Sequence, residues 1–430
     1  MATIKILNYQ LAPSPATIFG CLLPTPWLGM LAGLLLAFGP TQGLPDRFSP
    51  LTLAITHCLV LGMLAPIMIG ALFQLMPVVA GQTVAAAHFI SPFVALGSAL
   101  IASALSTGFL IGDRLGFVWA AILALVLYGA VAIALAWTAY RVIALDATIR
   151  TLRWIALALS IGVGLGIALA GNFAGWWQID VARVLELHVA WGILGWIGTL
   201  LIGIASTTVP MFWQTRRPSK AWHASLPAVL WVPLILLFVS SLRQFSLLSA
   251  CFVVLCLSLI AMRAVWQAKR SFDPAWILWL TCAICWCLSA ILVASYGLFS
   301  TQLPDTLLAA FPWWIGVLSL VGGAVLPVNA MLGKIIPFLV FLHLRRQIKP
   351  GCRVPTMQAV LPPQRLQWQA RIVLTALFLL LILPLAPEVF RVIAGVAFAV
   401  SQGLMGALLM LTLFRYRREL MSAMLAKNIV

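Results

Sequence analysis

Twelve stretches of this chain are apolar over the roughly 20 residues that a helix needs to cross a bilayer. That feature leaves few folds open. The stretches read as roughly 17–38, 50–76, 89–110, 116–138, 153–171, 185–209, 224–242, 245–265, 276–299, 307–342, 370–386 and 389–414. In hydrocarbon a backbone must satisfy its own hydrogen bonds, so the expected element is the α-helix. Alternating polarity over about ten residues, the mark of an outer-membrane strand, is absent. Composition agrees, with 63% hydrophobic and 8% charged residues, which suits no water-soluble domain. The start, MATIKILNYQLAPSPATIFG, lacks the short apolar region and cleavage site of a signal peptide. The expectation is one all-α integral membrane domain over residues 1–430, with about 12 transmembrane helices.

The few charges carry the topology. Lys and Arg number 26 against nine acidic residues, a net charge of +17. On a soluble chain that excess would suggest nucleic acid; here it lies in the loops, and no nucleic-acid partner is expected. Sorted by span, twenty basic residues fall on the side that holds both termini. Five fall on the other: Arg47, Arg114, Arg183, Arg243 and Arg391. Lys334 lies within a span. The positive-inside rule then makes both termini cytoplasmic, as for a multi-pass protein of a bacterial inner membrane. The acidic residues all fall in loops or at span ends, so no carboxylate is placed to relay protons at mid-membrane. The eight cysteines lie almost all in apolar stretches, without a disulfide framework. Cys282 and Cys285 share a helix face, which suits either Cu(I) or inert apolar packing.

A motif recurs in spans 2, 6 and 10. Gly62, Gly70 and Pro77 are spaced 8 and 7, as are Gly195, Gly203 and Pro210, and Gly322, Ala330 and Pro337. Three residues before each proline stands a polar residue: Gln74, Thr207 and Lys334. The spacing predicts three four-helix repeats, about 15–140, 150–268 and 274–416. Such repeats often hold functional sites between them. Close helix packing explains the small residues equally well. Gln74, Thr207 and Lys334 share a depth toward the cytoplasm, where they would converge if the threefold closes. Lys334 then suits an anion, a quinone carbonyl or a propionate, or else it snorkels to the headgroups.

Of five histidines, His88, His223 and His343 read as interface residues. His57 and His188 fall deeper, 20 and 22 residues before their repeat's proline. Ionisable groups inside spans are costly and usually face the protein interior. Helical periodicity puts Gly192, Gly195, Thr199 and Ser206 on the His188 face, and Leu61, Leu64 and Met68 on the His57 face. A neutral imidazole in an apolar pocket suits a haem iron; a bond from each histidine to a nearby carbonyl is the simpler alternative. Glu186, two residues before His188 and near Arg183, is either a partner orienting the histidine or half of a surface ion pair.

These features resemble subunit I of the haem-copper oxidases: twelve spans, cytoplasmic termini, pseudo-threefold four-helix units and ligands on spans 2, 6, 7 and 10. The stretch HCLVLGMLAPIMIGALFQLMPVVAG also resembles a helix of the related nitric-oxide-response haem membrane proteins. The resemblance implies that His57 is a low-spin haem ligand and that His188 stands on a ligand-bearing span. The family's span-7 and span-10 histidines are missing, so its copper site and high-spin haem cannot be built and a complete terminal oxidase is not expected. The resemblance therefore implies a reduced relative that binds haem b through His57 and His188, without copper. It would act in electron transfer, gas response or respiratory-complex maturation, beside a quinone or a respiratory-complex partner. The rival expectation is a cofactor-free transporter of a metal, haem or small amphiphile, or an assembly subunit.

Overall fold

The computed structural model describes residues 11, 13–40, 43–143, 146–348 and 354–428, with side chains to 422. Every regular element among them is helical. Among the described residues, eleven helices are long and apolar enough to cross a membrane. They are α1 (Pro15–Phe38), α2 (Pro50–Ala80), α3 (Ala87–Ile111), α4 (Arg114–Ala139), α5 (Ala147–Phe173), α6 (Val181–Trp213), α8 (Ser240–Trp266), α9 (Pro274–Gln302), α10 (Asp305–Gln347), α11 (Pro363–Leu385) and α12 (Pro387–Ser422). The chain is a helical, multi-pass membrane protein. Four of its scarce carboxylates begin these helices: Asp113, Asp146, Asp180 and Asp273 accept backbone N–H groups of the first turns of α4, α5, α6 and α9. A carboxylate there meets unpaired donors and the positive end of the helix dipole.

The expected seventh span, 224–242, is not a long helix. There the α-helix is short: α7 (Ala228–Leu236), nine residues, follows the end of a helix at Lys220–Ser225. Pro227 precedes it and Pro233 interrupts it, and neither residue has an N–H to extend a ladder. Side chains of neighbouring helices hold this segment. Trp222 donates to Ser206 Oγ at 2.8 Å, Trp231 donates to Thr199 Oγ1 at 3.0 Å, and Arg183 donates to the Leu237 carbonyl. At its start, the Ala147 N–H donates to His223 Nδ1. The segment thus runs antiparallel to α6 along most of its length.

Three long helices are not uniformly α-helical. Each holds a π-helical segment: Cys58–Leu64 in α2, Trp191–Gly198 in α6 and Val317–Val325 in α10. Gly62, Gly195 and Gly322 lie inside these segments, each fifteen residues before Pro77, Pro210 or Pro337. An i→i+5 turn holds one residue more than an α-turn, and such turns gather at functional sites.

The motif glycines act in packing. A Cβ on Gly70 would lie 2.7 Å from Cys21 Cβ, one on Gly203 among the Thr151 side-chain atoms, and one on Gly322 on Cys285. In each case the neighbour belongs to the helix that leads into the motif helix: α1, α5 or α9. Cys285 is thereby committed to packing, and Cys282 donates to the Gly323 carbonyl at 3.5 Å.

The tightest crossing joins α1 to α12. A Cβ on Gly33 would sit 2.6 Å from the Ala399 nitrogen and 2.7 Å from the Gly395 oxygen, and one on Gly395 would sit 2.6 Å from the Gly33 oxygen. Backbone opposes backbone here, so no rotamer change can make room. Gly33→Val is expected to destabilise the protein by about 1–3 kcal/mol or more, read as a lower unfolding temperature in detergent. Gly129→Val, with nothing within 4 Å of its Cβ, serves as the tolerated control.

Candidate functional site

His57 and His188 meet. His57 ends the first α-helical part of α2, one residue before its π segment, and His188 lies three residues before the π segment of α6. Their ring centroids are 6.4 Å apart and their planes differ by 9°. Both side chains are half-buried. They lie 130 residues apart in sequence, so only the fold brings them together.

Each ring is oriented by a backbone carbonyl. His57 Nδ1 lies 2.8 Å from the Leu53 carbonyl, one turn back in its own helix. His188 Nδ1 lies 3.0 Å from the Gly162 carbonyl of α5. A carbonyl oxygen only accepts, so Nδ1 carries the hydrogen on both rings. In the neutral imidazole that leaves Nε2 as a free lone pair. Carbonyl orientation of the far nitrogen is the usual arrangement behind a metal-binding histidine.

The walls are glycine and aromatic. A Cβ on Gly166 would stand 3.0 Å from His188 Cε1, so α5 approaches this ring as closely as it does because residue 166 has no side chain. A Cβ on Gly192 would meet nothing within 4 Å, and one on Gly162 would reach only the Gly192 backbone, at 4.0 Å. Phe109 of α3 lies 5.3 Å from His57, centroid to centroid, and continues into Phe117 and Phe173. The sequence does carry a signal for the α5 wall: Gly162 and Gly166, four apart, share one helix face.

Several expected companions lie elsewhere. Thr199 accepts from Trp231 and Ser206 accepts from Trp222, so both face the seventh segment and not the His188 ring. A Cβ on Gly195 would run into the Trp191 ring. Met68 is buried, eleven residues beyond His57 and about 16 Å along the helix axis. For Thr199 and Ser206 the face assignment assumed regular α-helix, and the extra residue in the π turn rotates everything beyond it. Gly192, at the start of the α6 segment, precedes most of that rotation and keeps its place beside Gly162. Glu186 pairs with Arg183 at 2.9 Å and Arg243 at 2.8 Å, leaving the orientation of His188 to Gly162.

Of the polar residues before the prolines, Thr207 and Lys334 have separate partners. Thr207 Oγ1 lies 2.7 Å from Thr148 Oγ1. Lys334 pairs with Asp273, the residue capping α9, and stands 6.0 Å over the Trp213 ring. Gln74 is buried, and its Oε1 has no hydrogen-bond partner.

Among the described residues, no group of three or more His, Cys, Asp or Glu side chains is placed to hold a metal ion. Comparison with protein-family models, curated proteins and solved structures returns no match to this chain.

Proposed function

We propose that this protein binds one b-type haem between His57 and His188 and acts in electron transfer within a bacterial inner membrane. The observation that carries the reading is the ring pair, parallel to within 9° at 6.4 Å. Two imidazoles bound end-on to one metal at about 2 Å per nitrogen place their centroids about 6 Å apart. A protein-only metal site needs a third or fourth side chain. A macrocycle supplies four nitrogens itself, so two histidines complete the set. The residues present fit such a group: free Nε2 lone pairs, carbonyl-fixed rings, an unfilled glycine wall and an apolar, aromatic lining.

Bound there, haem supplies reversible one-electron chemistry. The roles of the chain's own residues follow from their positions. The Leu53 and Gly162 carbonyls accept the Nδ1 protons and fix the orientation of both rings, so that Nε2 carries the lone pair. Gly166 and Gly192 leave room beside His188. Phe109 keeps water from the His57 ring. Using both histidines favours electron transfer over gas response, because no position is left for a gas. A quinone or a respiratory-complex subunit is the partner class that suits a membrane electron carrier.

The same reading takes α2, α6 and α10 as equivalent helices of three four-helix units, with both termini cytoplasmic. The shared position of the π segments relative to Pro77, Pro210 and Pro337 supports the repeat. The twenty-to-five split of basic residues supports the orientation.

The test is an absorption spectrum of the protein purified in mild detergent from haem-replete cells, oxidised and then reduced with dithionite. The expected result is a Soret band with sharp reduced α and β bands. A well-folded but colourless protein would sink the proposal and favour a cofactor-free transporter or assembly subunit.

A further inference from the structure

α10 carries no histidine in its membrane part, yet its buried face is not wholly apolar. Asn329 is 1% exposed, and neither its amide nitrogen nor its amide oxygen has a hydrogen-bond partner. Leaving a carboxamide unmet in an apolar interior costs free energy, and native proteins rarely do so without an occupant. Asn329 lines a small cavity between α9, α10 and α11, with Ala275, Leu278, Ala330, Gly333 and Gln369 among its other walls. Gln369 is also 1% exposed, and its Nε2 makes only a long bond of 3.4 Å, to the Ser401 carbonyl. The space open to a water centre is about 10 Å³, on the order of what one water needs.

We infer that this cavity is an internal water site, holding one ordered water between the carboxamides of Asn329 and Gln369. The cavity carries the two carboxamides in an apolar lining, lies between three helices, and is sized for one water. Its position gives the water a further role. Ala275 and Gly333 on its wall are two residues and one residue from Asp273 and Lys334, which form the ion pair at the end of α9. Gln369 leads on to Ser401, whose Oγ accepts from Gln402 at 3.1 Å. The water joins the carboxamides of Asn329 and Gln369, and Gln369 in turn donates to the Ser401 carbonyl of α12, so the site links α10 to α12 through α11.

The test is a cryo-EM or crystal map of the full chain, fine enough to show ordered water. The expected result is one isolated peak within hydrogen-bond reach of both carboxamides. Asn329→Leu, close in volume, is expected to lose the peak, and Asn329→Ala to gain a second water in the enlarged space. An empty cavity, an ion-like coordination shell, or a rotated Asn329 bonded to protein groups would each overturn the inference. Should Asn329→Leu fail to fold, Gln369→Met gives the same comparison from the opposite wall.

Discussion

His57→Ala is expected to abolish the sharp reduced bands of a six-coordinate haem, and His188→Ala to do the same. On the proposed reading, each variant would remove one of the two nitrogens that hold the haem and leave room for an added gas. Both should therefore gain carbon monoxide binding that the parent lacks, and the double variant should lose haem altogether. The near-parallel rings add a second signature. Imidazole planes only 9° apart give an ordinary rhombic low-spin electron paramagnetic resonance signal, whereas perpendicular planes give a single feature at large g. Gly166→Ala tests the wall by itself: a methyl at 3.0 Å from His188 Cε1 should shift the reduced bands and the midpoint potential while both ligands remain. Bands that persist unchanged in both histidine variants would remove the pair from the site.

The second large effect concerns Lys334. Its ammonium and the Asp273 carboxylate are 19% and 15% exposed, so each depends on the other for most of its solvation. Removing one partner strands the other charge, and Lys334→Met is expected to cost on the order of 3 kcal/mol of stability. Chemical denaturation in detergent or a shifted thermal midpoint reads that loss. Adding Asp273→Asn should recover most of it, because the amide removes the stranded charge while its oxygen still caps α9 at the Ala275 N–H. The double-mutant comparison separates pairing from capping. A lysine that merely snorkels to the headgroups predicts a near-neutral Lys334→Met, and that outcome would remove the ion pair from the account.

The sequence shows the long helices because hydropathy over about 20 residues is a local property. It misses the break in the expected seventh span, although Pro227 and Pro233 mark it, because the intervening residues are as apolar as any span. The two histidines stand out because ionisable groups are scarce in such segments. Their companions are less legible. Gly162 and Asp273 act on residues 26 and 61 positions away, and no local pattern reports such pairings. Thr199 and Ser206 leave the expected face for a sharper reason. A face assignment carried across eleven or more residues depends on the helical period, and nothing in CLVLGML, WGILGWIG or VLSLVGGAV announces that the period changes.

Those three segments also bear on the chain's history. A π turn is what remains when one residue is inserted into an established helix and the surrounding packing refuses to rotate. Here the π segments begin 19 or 20 residues before three prolines, in the three helices that the proposed repeat makes equivalent. On that proposal the extra residue entered a single ancestral unit before the unit was multiplied, and each copy inherited the widened turn. The proposed haem ligands, beside two of the three turns, would then record a later divergence: an old irregularity put to use in two copies and left in the third as packing and polar groups.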